Sequence, residues 1–133
     1  MRSLGVSTRA REELVDVTDA VRDVVREAVR AAGIEEGVCL VFSPHTTCAV
    51  TVNEGWDPAV RGDALQLLGE LVPRERDFAH AEGNSDSHIK SMLMGASALL
   101  PVAGGELKLG RWQAVFLCEF DGPRERQLWV VVR

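Results

Sequence analysis

The chain has 133 residues, of which 46% are hydrophobic and 26% charged, and a formal net charge of −5 at pH 7. This length and composition predict one globular domain over residues 1–133 and exclude a largely disordered chain. The acidic balance, with no basic run to offset it, disfavours nucleic acid as a partner. We find neither an apolar stretch of bilayer length nor a secretory signal, so we expect a cytoplasmic protein without membrane contact.

The first half of the chain predicts one helix and three strands. Valine and alanine recur at helical spacing from residue 19 to residue 32, with charges on the opposite face. Thr18 or Asp16 can cap this helix at its start, and Gly33 can end it. Apolar runs predict strands over residues 14–17, 38–42 and 49–52. Because a short segment separates the last two strands, we expect them to form an antiparallel pair.

The second half predicts two more helices and then strands. Asp57 fits the cap of a helix that Pro73 stops, and a third helix begins near Asp86 and ends at about Leu100. Apolar runs over 106–109, 112–120 and 127–132, separated by short turns, predict antiparallel neighbours. Strands and helices fall in blocks, which favours an α+β fold over a doubly wound sheet. The three cysteines form no CxxC pair, so we expect buried thiols.

Histidine is scarce in this sequence, and two of the three histidines lie in one polar segment. The segment reads His80-Ala81-Glu82-Gly83-Asn84-Ser85-Asp86-Ser87-His88. The third, His45, lies between two predicted strands. Imidazoles that come together can bind a divalent metal or move protons. His45, His80 and His88 are therefore candidate catalytic residues and candidate ligands of one metal ion. The alternative is that each is an unconnected residue of a loop or a cap.

Further polar residues lie beside these histidines or follow a predicted strand. Asp86 can orient a histidine or cap the third helix. Asn84 lies in a glycine turn before that helix, a position that suits an anion. Asn53 and Glu54 directly follow a strand, where Asn53 can contact substrate and Glu54 can act as a general base or a metal carboxylate. The alternative for this segment is a plain turn that leads to the cap residue Asp57.

Two arginines near the C-terminus, Arg124 and Arg126, have the spacing to point the same way from an extended chain. They can hold a phosphate or pyrophosphate bidentately, or instead form salt bridges within the chain or with another subunit. Glu119 interrupts an apolar run. Because a buried carboxylate needs a partner, we expect it to pair with an arginine or to face a cleft. Gln113 is a further candidate for contact with an anionic substrate.

A series of motifs runs through nearly the whole chain in a specific order. It comprises His45-Thr46-Thr47, Asn53-Glu54, Asp57, Asp63, His80, Gly83-Asn84-Ser85-Asp86-Ser87-His88, Gly95-Ala96-Ser97, Pro101, Leu107-Lys108-Leu109-Gly110-Arg111-Trp112-Gln113 and Glu119-Phe120-Asp121-Gly122-Pro123-Arg124-Glu125-Arg126. With these motifs the chain resembles the YjbQ-like family, long catalogued as uncharacterised protein family UPF0047. It departs from the family pattern at Cys48, where many relatives carry alanine, and at Arg111, where threonine or serine is more usual.

The resemblance implies an α+β fold built on an antiparallel β-sandwich with about three helices, assembled as a homotrimer. It also implies a polar site near a subunit boundary that contains His45, His80 and His88 as candidate ligands of a divalent metal, zinc or magnesium. Some members of the family are associated with weak thiamine-phosphate synthase activity. In that reaction a pyrimidine carried as its pyrophosphate is joined to a thiazole phosphate.

From the resemblance we expect a small cytoplasmic enzyme of this transferase type, acting on a small phosphorylated metabolite. Arg124, Arg126 and a divalent metal would neutralise the leaving pyrophosphate. Trp56 or Trp112 would stack on the pyrimidine, and Glu54 or a histidine would handle a proton. Two alternatives stay open. One is a metal-dependent hydrolase of a small phosphorylated or cyclic metabolite, and the other is a non-catalytic module that binds a metal or an anionic metabolite.

Overall fold

The computed structural model describes residues 1–133 as eight strands and three helices. These are β1 Arg2–Ser7, β2 Glu13–Asp16, α1 Thr18–Ala32, β3 Glu36–Phe42, β4 Cys48–Glu54, α2 Pro58–Leu71, α3 Ser85–Met94, β5 Ser97–Ala103, β6 Glu106–Leu107, β7 Gln113–Glu119 and β8 Glu125–Val132. One sheet has the strand order β1-β8-β3-β5-β6 and the other β2-β7-β4. Every strand pair is antiparallel. The predicted α+β fold with an antiparallel sandwich and three helices is confirmed.

Strand β7 lies between two layers of apolar side chains. Val115 and Leu117 face the main core, which contains residues of both sheets and the buried face of α1. Phe116, at the alternate position, faces a second cluster that α2 and the end of α3 cover. Burial on both faces explains why the sequence of β7 is continuously apolar instead of alternating.

The ends of the first two helices follow their local sequence signals. Gly33 ends α1 in the left-handed region at φ 65°, as predicted. The Asp57 side chain accepts the backbone N–H of Ala59 and caps α2, which is also confirmed. At the start of α1, Val17 occupies the cap position and makes no side-chain hydrogen bond. Of the two predicted capping residues, Asp16 accepts both the backbone N–H and the hydroxyl of Thr18, so its side chain satisfies the first N–H of the helix.

The expected pairing of the strands over residues 38–42 and 49–52 is wrong. Strand β3 pairs with β5 and β8, whereas β4 pairs with β7 in the other sheet. The segment between them, which contains Pro44 and His45, crosses from one sheet to the other instead of forming a hairpin. The strands of the last third are not mutual neighbours either, since β6, β7 and β8 pair with β5, β4 and β3 respectively.

The third helix is shorter than the sequence predicts. It ends at Met94, because Gly95 has a φ of 92° that leaves the helical region. Residues Ser97–Ala103 form β5, in which Leu100 and Val102 are buried on one face. The sequence does not predict strand β1, because this segment has no strong apolar pattern; it pairs with β8.

The three cysteines are free and buried, as predicted. Burial raises the pKa of Cys39 to about 11 and that of Cys118 to about 12. These thiols stay protonated at neutral pH and act as small apolar groups instead of nucleophiles. None of the three helices has the length and apolar character needed to cross a membrane.

Candidate functional site

The start of α3 brings two of the three histidines together. The ring centroids of His80 and His88 lie 5.4 Å apart, with the ring planes at 83°. Asn84 directly precedes the helix, and its Oδ1 lies 3.1 Å from His80 Nε2. Glu82 Oε2 lies 3.5 Å from the same nitrogen. His80 and His88 thus form an imidazole pair, with an amide and a carboxylate beside His80.

A chain of polar contacts connects this pair with the loop after β7. Asn84 Nδ2 donates to Asp121 Oδ2 over 2.9 Å, and Arg124 donates to the same oxygen over 3.1 Å. The side chain of Arg124 is 54% exposed. Its guanidinium is therefore accessible to an anion, and it is connected to His80 through Asp121 and Asn84.

His45 lies on the other side of His88, in the segment between β3 and β4. Both side chains line one groove of about 300 Å³. His45 Nε2 accepts the backbone N–H of Gln127 over 2.9 Å. Burial, followed by the charge of Arg126, lowers the pKa of His45. The ring is therefore neutral at pH 7 and carries its proton on Nδ1.

The three histidines lie along one edge of the molecule without forming a single ligand set. His88 lines the groove with His45 and also a separate hollow with His80. No three His, Cys, Asp or Glu side chains converge to hold a metal within the chain. His80 and His88 do have a suitable spacing, because two imidazoles bound to one tetrahedral metal at about 2.0–2.1 Å have ring centroids about 5 Å apart. His45 does not join them through Nε2, which Gln127 occupies.

Asp86 neither caps α3 nor contacts a histidine ring. Arg11 donates to both of its carboxylate oxygens, over 3.0 and 3.1 Å, and Lys90 donates to one of them over 3.1 Å. Lys90 is 1% exposed and also contacts Glu12. Burial alone would raise the pKa of Asp86, but the hydrogen bonds from Arg11 and Lys90 outweigh it and hold the pKa below its usual value. This network anchors the first turn of α3, and with it His88, to the segment between β1 and β2.

Sequence reasoning missed Arg11, Glu12 and Lys90. The available signal was weak: Lys90 follows Asp86 by four residues, which places both on one helix face. Nothing in the sequence connects Arg11 with Asp86, from which it is separated by 75 positions.

Arg126 points into the core between the sheets. It donates to both oxygens of Glu119, over 2.8 and 2.6 Å, and to Thr47 Oγ1 over 2.8 Å. Both members of this pair are buried, which confirms that Glu119 has an arginine partner. Arg126 therefore has a structural role, and only Arg124 remains accessible to a phosphate. The expectation that the side chains of Arg124 and Arg126 point the same way is wrong. Arg124 precedes β8, so the alternation of side chains along a strand does not relate it to Arg126.

Several hydrogen bonds keep Glu119 charged in the core. Besides Arg126, Thr8 Oγ1 and the backbone N–H groups of Phe120 and Asp121 donate to its carboxylate. Burial alone would raise the pKa of Glu119, but these donors outweigh it and lower the pKa. The pair links β7 to β8 across the two sheets, next to the segment that carries His45.

Glu54 and its neighbour Asn53 lie at the far end of β4 from the histidines. Cys48, at the near end, lines the groove with His45 and His88. At about 3.3 Å per residue, the strand places Glu54 about 20 Å from that groove. Within one chain, Glu54 is therefore too distant to move a proton at the histidines.

The polar groups at this far end serve local turns. Glu54 Oε1 accepts the backbone N–H groups of Trp56 and Asp57 over 3.2 and 3.1 Å. Asn53 Oδ1 accepts the backbone N–H of Glu54 over 2.7 Å. Gln113 is opposite Glu54 in the strand register, and its Oε1 accepts the backbone N–H of Gly110 over 2.8 Å. The structure thus divides the predicted site residues into two groups at opposite ends of the β4–β7 pair.

Comparison with known proteins finds one family along the whole chain. The sequence model described as "UPF0047 protein YjbQ-like" matches residues 2–133. A UPF0047 protein of Methanocaldococcus jannaschii is 41% identical over 127 residues, which cover 96% of this chain and 89% of that protein. The UPF0047 protein YugU of Bacillus subtilis is 40% identical over 131 residues, which cover 98% of this chain and 96% of that protein.

Solved structures agree with the sequence comparison. An uncharacterised conserved YjbQ/UPF0047 protein of Clostridium acetobutylicum superposes with a TM-score of 0.91 at 39% identity, covering 100% of both chains. A conserved hypothetical protein of Thermus thermophilus superposes with a TM-score of 0.88 at 46% identity, again over 100% of both chains. A YbjQ-like protein of Sulfolobus solfataricus, described as of unknown function, gives a TM-score of 0.91 at 36% identity and covers 98% of this chain and 94% of that one.

Proposed function

Because this chain belongs to the YjbQ-like UPF0047 family, we propose that it is a small cytoplasmic enzyme that acts on a phosphorylated metabolite at its histidine edge. The observation that carries the proposal is the His80–His88 pair, whose rings lie 5.4 Å apart. An accessible guanidinium, that of Arg124, is connected to His80 of this pair through Asp121 and Asn84. Imidazoles move protons near neutral pH, and a guanidinium binds phosphate oxygens. Together these groups suit chemistry at a phosphorylated substrate.

The reaction that we put forward is the condensation of a pyrimidine pyrophosphate with a thiazole phosphate. A bond forms from the thiazole nitrogen to the carbon that carries the pyrophosphate. The bond between that carbon and the pyrophosphate oxygen breaks, and the pyrophosphate leaves with the electron pair. Negative charge therefore grows on the leaving group, which Arg124 would neutralise. His80 or His88 would donate a proton to it.

A divalent metal also fits this proposal. His80 and His88 would hold it, and water or phosphate oxygens would complete its coordination. Zinc so bound would act as a Lewis acid toward phosphate oxygens, whereas magnesium, which prefers oxygen ligands, does not fit a pair of imidazoles. The residues of the chain keep their own tasks: Arg124 binds the anion, and the Asp86 network fixes the position of α3 and thus of His88.

A metal-dependent hydrolase is the second candidate. One observation favours it: only Arg124 of the two predicted arginines faces solvent, so the edge offers one guanidinium instead of two. A single guanidinium suits a single phosphate group better than a pyrophosphate. In that reaction an imidazole or a metal would activate water to attack the phosphorus.

We also propose that the chain assembles as a homotrimer. Three large apolar side chains on α3 and β5 are exposed in the single chain: Met92, Leu93 and Leu99. Apolar surface of this kind marks contacts between proteins. Met92 also lines the groove with His45 and His88, so a contact there would enclose the site. Light scattering on the purified protein should give the mass of three chains, and the mass of one chain would reject the assembly.

The experiment that tests the function is an assay of purified protein with both condensation substrates, followed by chromatography of the products. We expect a joined product and pyrophosphate in equal amounts, and a chelator to lower the rate if a metal takes part. Phosphate release without a joined product would replace the transferase with the hydrolase. Binding of substrate or zinc in calorimetry without any turnover would reject both enzymes in favour of a non-catalytic module.

A further inference from the structure

The proposed reaction uses His80 and His88 but not His45, the third histidine of the edge. His45 lies in the segment between β3 and β4, and its ring lines the groove of about 300 Å³ together with His88. His80 instead lines a separate hollow with His88. A group bound in the groove therefore lies against His45 and His88 and away from His80.

Strand β8 fixes the position of the proton on the His45 ring. Strand β3 ends at Phe42, opposite Trp129 of β8, so β8 continues beyond its neighbour. The backbone N–H of Gln127 therefore has no partner in β3, and it donates instead to Nε2 of His45 over 2.9 Å. Because this bond uses the lone pair of Nε2, the proton of the neutral ring is on Nδ1.

The Nδ1–H group of His45 is a polarised donor without an acceptor in the chain. The hydrogen bonds of this residue involve only its backbone N–H and Nε2. Burial, followed by the charge of Arg126, lowers the pKa of the His45 ring, which keeps the ring neutral. The positive charge of Arg126 and the hydrogen bond accepted at Nε2 both draw electron density from the ring. Nδ1–H is therefore a stronger donor than that of an imidazole in water.

The groove contains a second donor without a partner. Ser91 of α3 lines it together with His45, and the Oγ of Ser91 is the only buried side-chain nitrogen or oxygen of the chain that has no hydrogen-bond partner. Since buried polar groups are nearly always hydrogen-bonded, this hydroxyl calls for an acceptor that the chain does not supply. No carboxylate and no arginine lines the groove, so it offers neutral donors to an acceptor oxygen.

We propose that His45 is a catalytic residue whose Nδ1–H donates a hydrogen bond to a phosphoryl oxygen of the substrate in the groove, beside His88, and that Ser91 donates to the same phosphoryl group. This inference rests on the proposed function of the histidine edge. A neutral donor holds an oxygen most strongly once negative charge has grown on it, so His45 stabilises the transition state more than the ground state. His45 is then neither a base nor a metal ligand, because both roles need an unprotonated nitrogen that faces the substrate.

Long-range ¹H–¹⁵N NMR spectra of the imidazole rings test this contact without any turnover. We expect the proton of His45 to be on Nδ1 at pH 7, and inorganic phosphate to shift the Nδ1 resonance to saturation. Arg124→Met is the control: it removes the accessible guanidinium of the edge but should leave the shift of His45 in place, since Arg124 does not line the groove. A proton on Nε2, or a Nδ1 resonance that phosphate does not move, would overturn the proposal.

Two substitutions of His45 separate the proposed donor from the structural contact with Gln127. Asparagine places its amide nitrogen at the position of Nδ1 but does not reach Gln127. Glutamine reaches Gln127 with its Oε1 but has no donor in place of Nδ1. We expect His45→Asn to keep kcat within about tenfold of the wild type despite a lower melting temperature. His45→Gln should keep the melting temperature and lose about 10²–10³-fold in kcat, with KM little changed.

The order of the two variants decides the outcome. A His45→Gln protein more active than His45→Asn would assign His45 a structural role through Gln127 and overturn the proposal. Equal large losses in both would assign proton transfer or metal binding to His45 and overturn it as well. Ser91→Ala should lower kcat about five- to tenfold, and wild-type rates in both Ser91→Ala and His45→Gln would exclude the groove from the reaction. A wild type without turnover would reject the proposed function, while the phosphate shift at Nδ1 would still decide whether His45 donates in the groove.

Discussion

Replacing Arg126 by methionine should destabilise the protein strongly, because it leaves Glu119 charged and without a counter-charge in the core. Glu119 is 0% exposed and would keep only the donors from Thr8 and the backbone of Phe120 and Asp121. Breaking a buried ion pair by removal of one partner costs about 3–5 kcal/mol. With an unfolding entropy of about 2.1 cal/mol/K per residue, that cost lowers the melting temperature by about 11–18 °C.

Urea unfolding and calorimetry at pH 7 measure this change. Arg124→Met is the matched control, because Arg124 pairs with Asp121 at the surface and such pairs contribute about 0–1 kcal/mol. The double variant Glu119→Gln with Arg126→Met removes the unpaired charge and should recover part of the loss. If Arg126→Met costs no more than Arg124→Met, the reasoning about the buried pair is refuted.

The pH dependence gives an independent check on the same pair. In the wild type the pKa of Glu119 is held below its usual value. This contribution to stability is present above the unfolded pKa of about 4.3 and is lost as the pH falls through the folded pKa. In Arg126→Met the burial that remains raises the pKa of Glu119. That variant should gain stability as the pH falls from 7, whereas the wild type should not.

Three further predictions test other parts of the structure. Asp86→Asn leaves Lys90 buried with Glu12 as its remaining carboxylate partner, so urea unfolding should show a loss of about 3 kcal/mol; a loss below about 1 kcal/mol would contradict the network. His45 should titrate below the usual value of about 6.5 in proton NMR. Below about pH 6.5 the imidazole of His45 binds a proton more readily in the unfolded chain than in the folded one, so the free energy of unfolding should fall as the pH falls. His45→Gln should reduce this dependence of stability on pH. Gly55→Ala should lower the free energy of unfolding by about 1–3 kcal/mol through the clash with Ala114. Gly62→Ala, in open space within α2, should raise it by about 1 kcal/mol. Equal effects of the two substitutions in urea unfolding would contradict the close packing at residue 55.

Elements with local signals could be predicted from the sequence. Gly33 and Asp57 mark helix ends through their own backbone and side-chain chemistry. The sequence predicts too long a third helix, because Met92, Ala96 and Leu100 keep helical spacing beyond the break at Gly95. Periodicity alone does not reveal that break, since it depends on one backbone angle.

Strand partners and buried charges could not be predicted in the same way. Strands β3 and β4 are close in sequence, yet they belong to different sheets because each finds its partners far along the chain. The pair of His80 and His88 was recognisable because both lie in one short segment. Arg11 supports that segment by binding Asp86, which is 75 positions away in the sequence. This contact depends on the fold as a whole, and no local sequence pattern predicts it.

The central claim is that the histidine edge performs the chemistry, and the catalytic rate of His88→Gln tests it most directly. The substitution keeps a polar side chain on α3, while Gln66→Ala, at an exposed position of α2 that contacts Glu70, serves as the control. Loss of a proton-transferring imidazole should lower kcat/KM for condensation by about 10²–10⁴-fold, with the melting temperature unchanged. A His88→Gln protein as active as Gln66→Ala would show that the reaction takes place elsewhere.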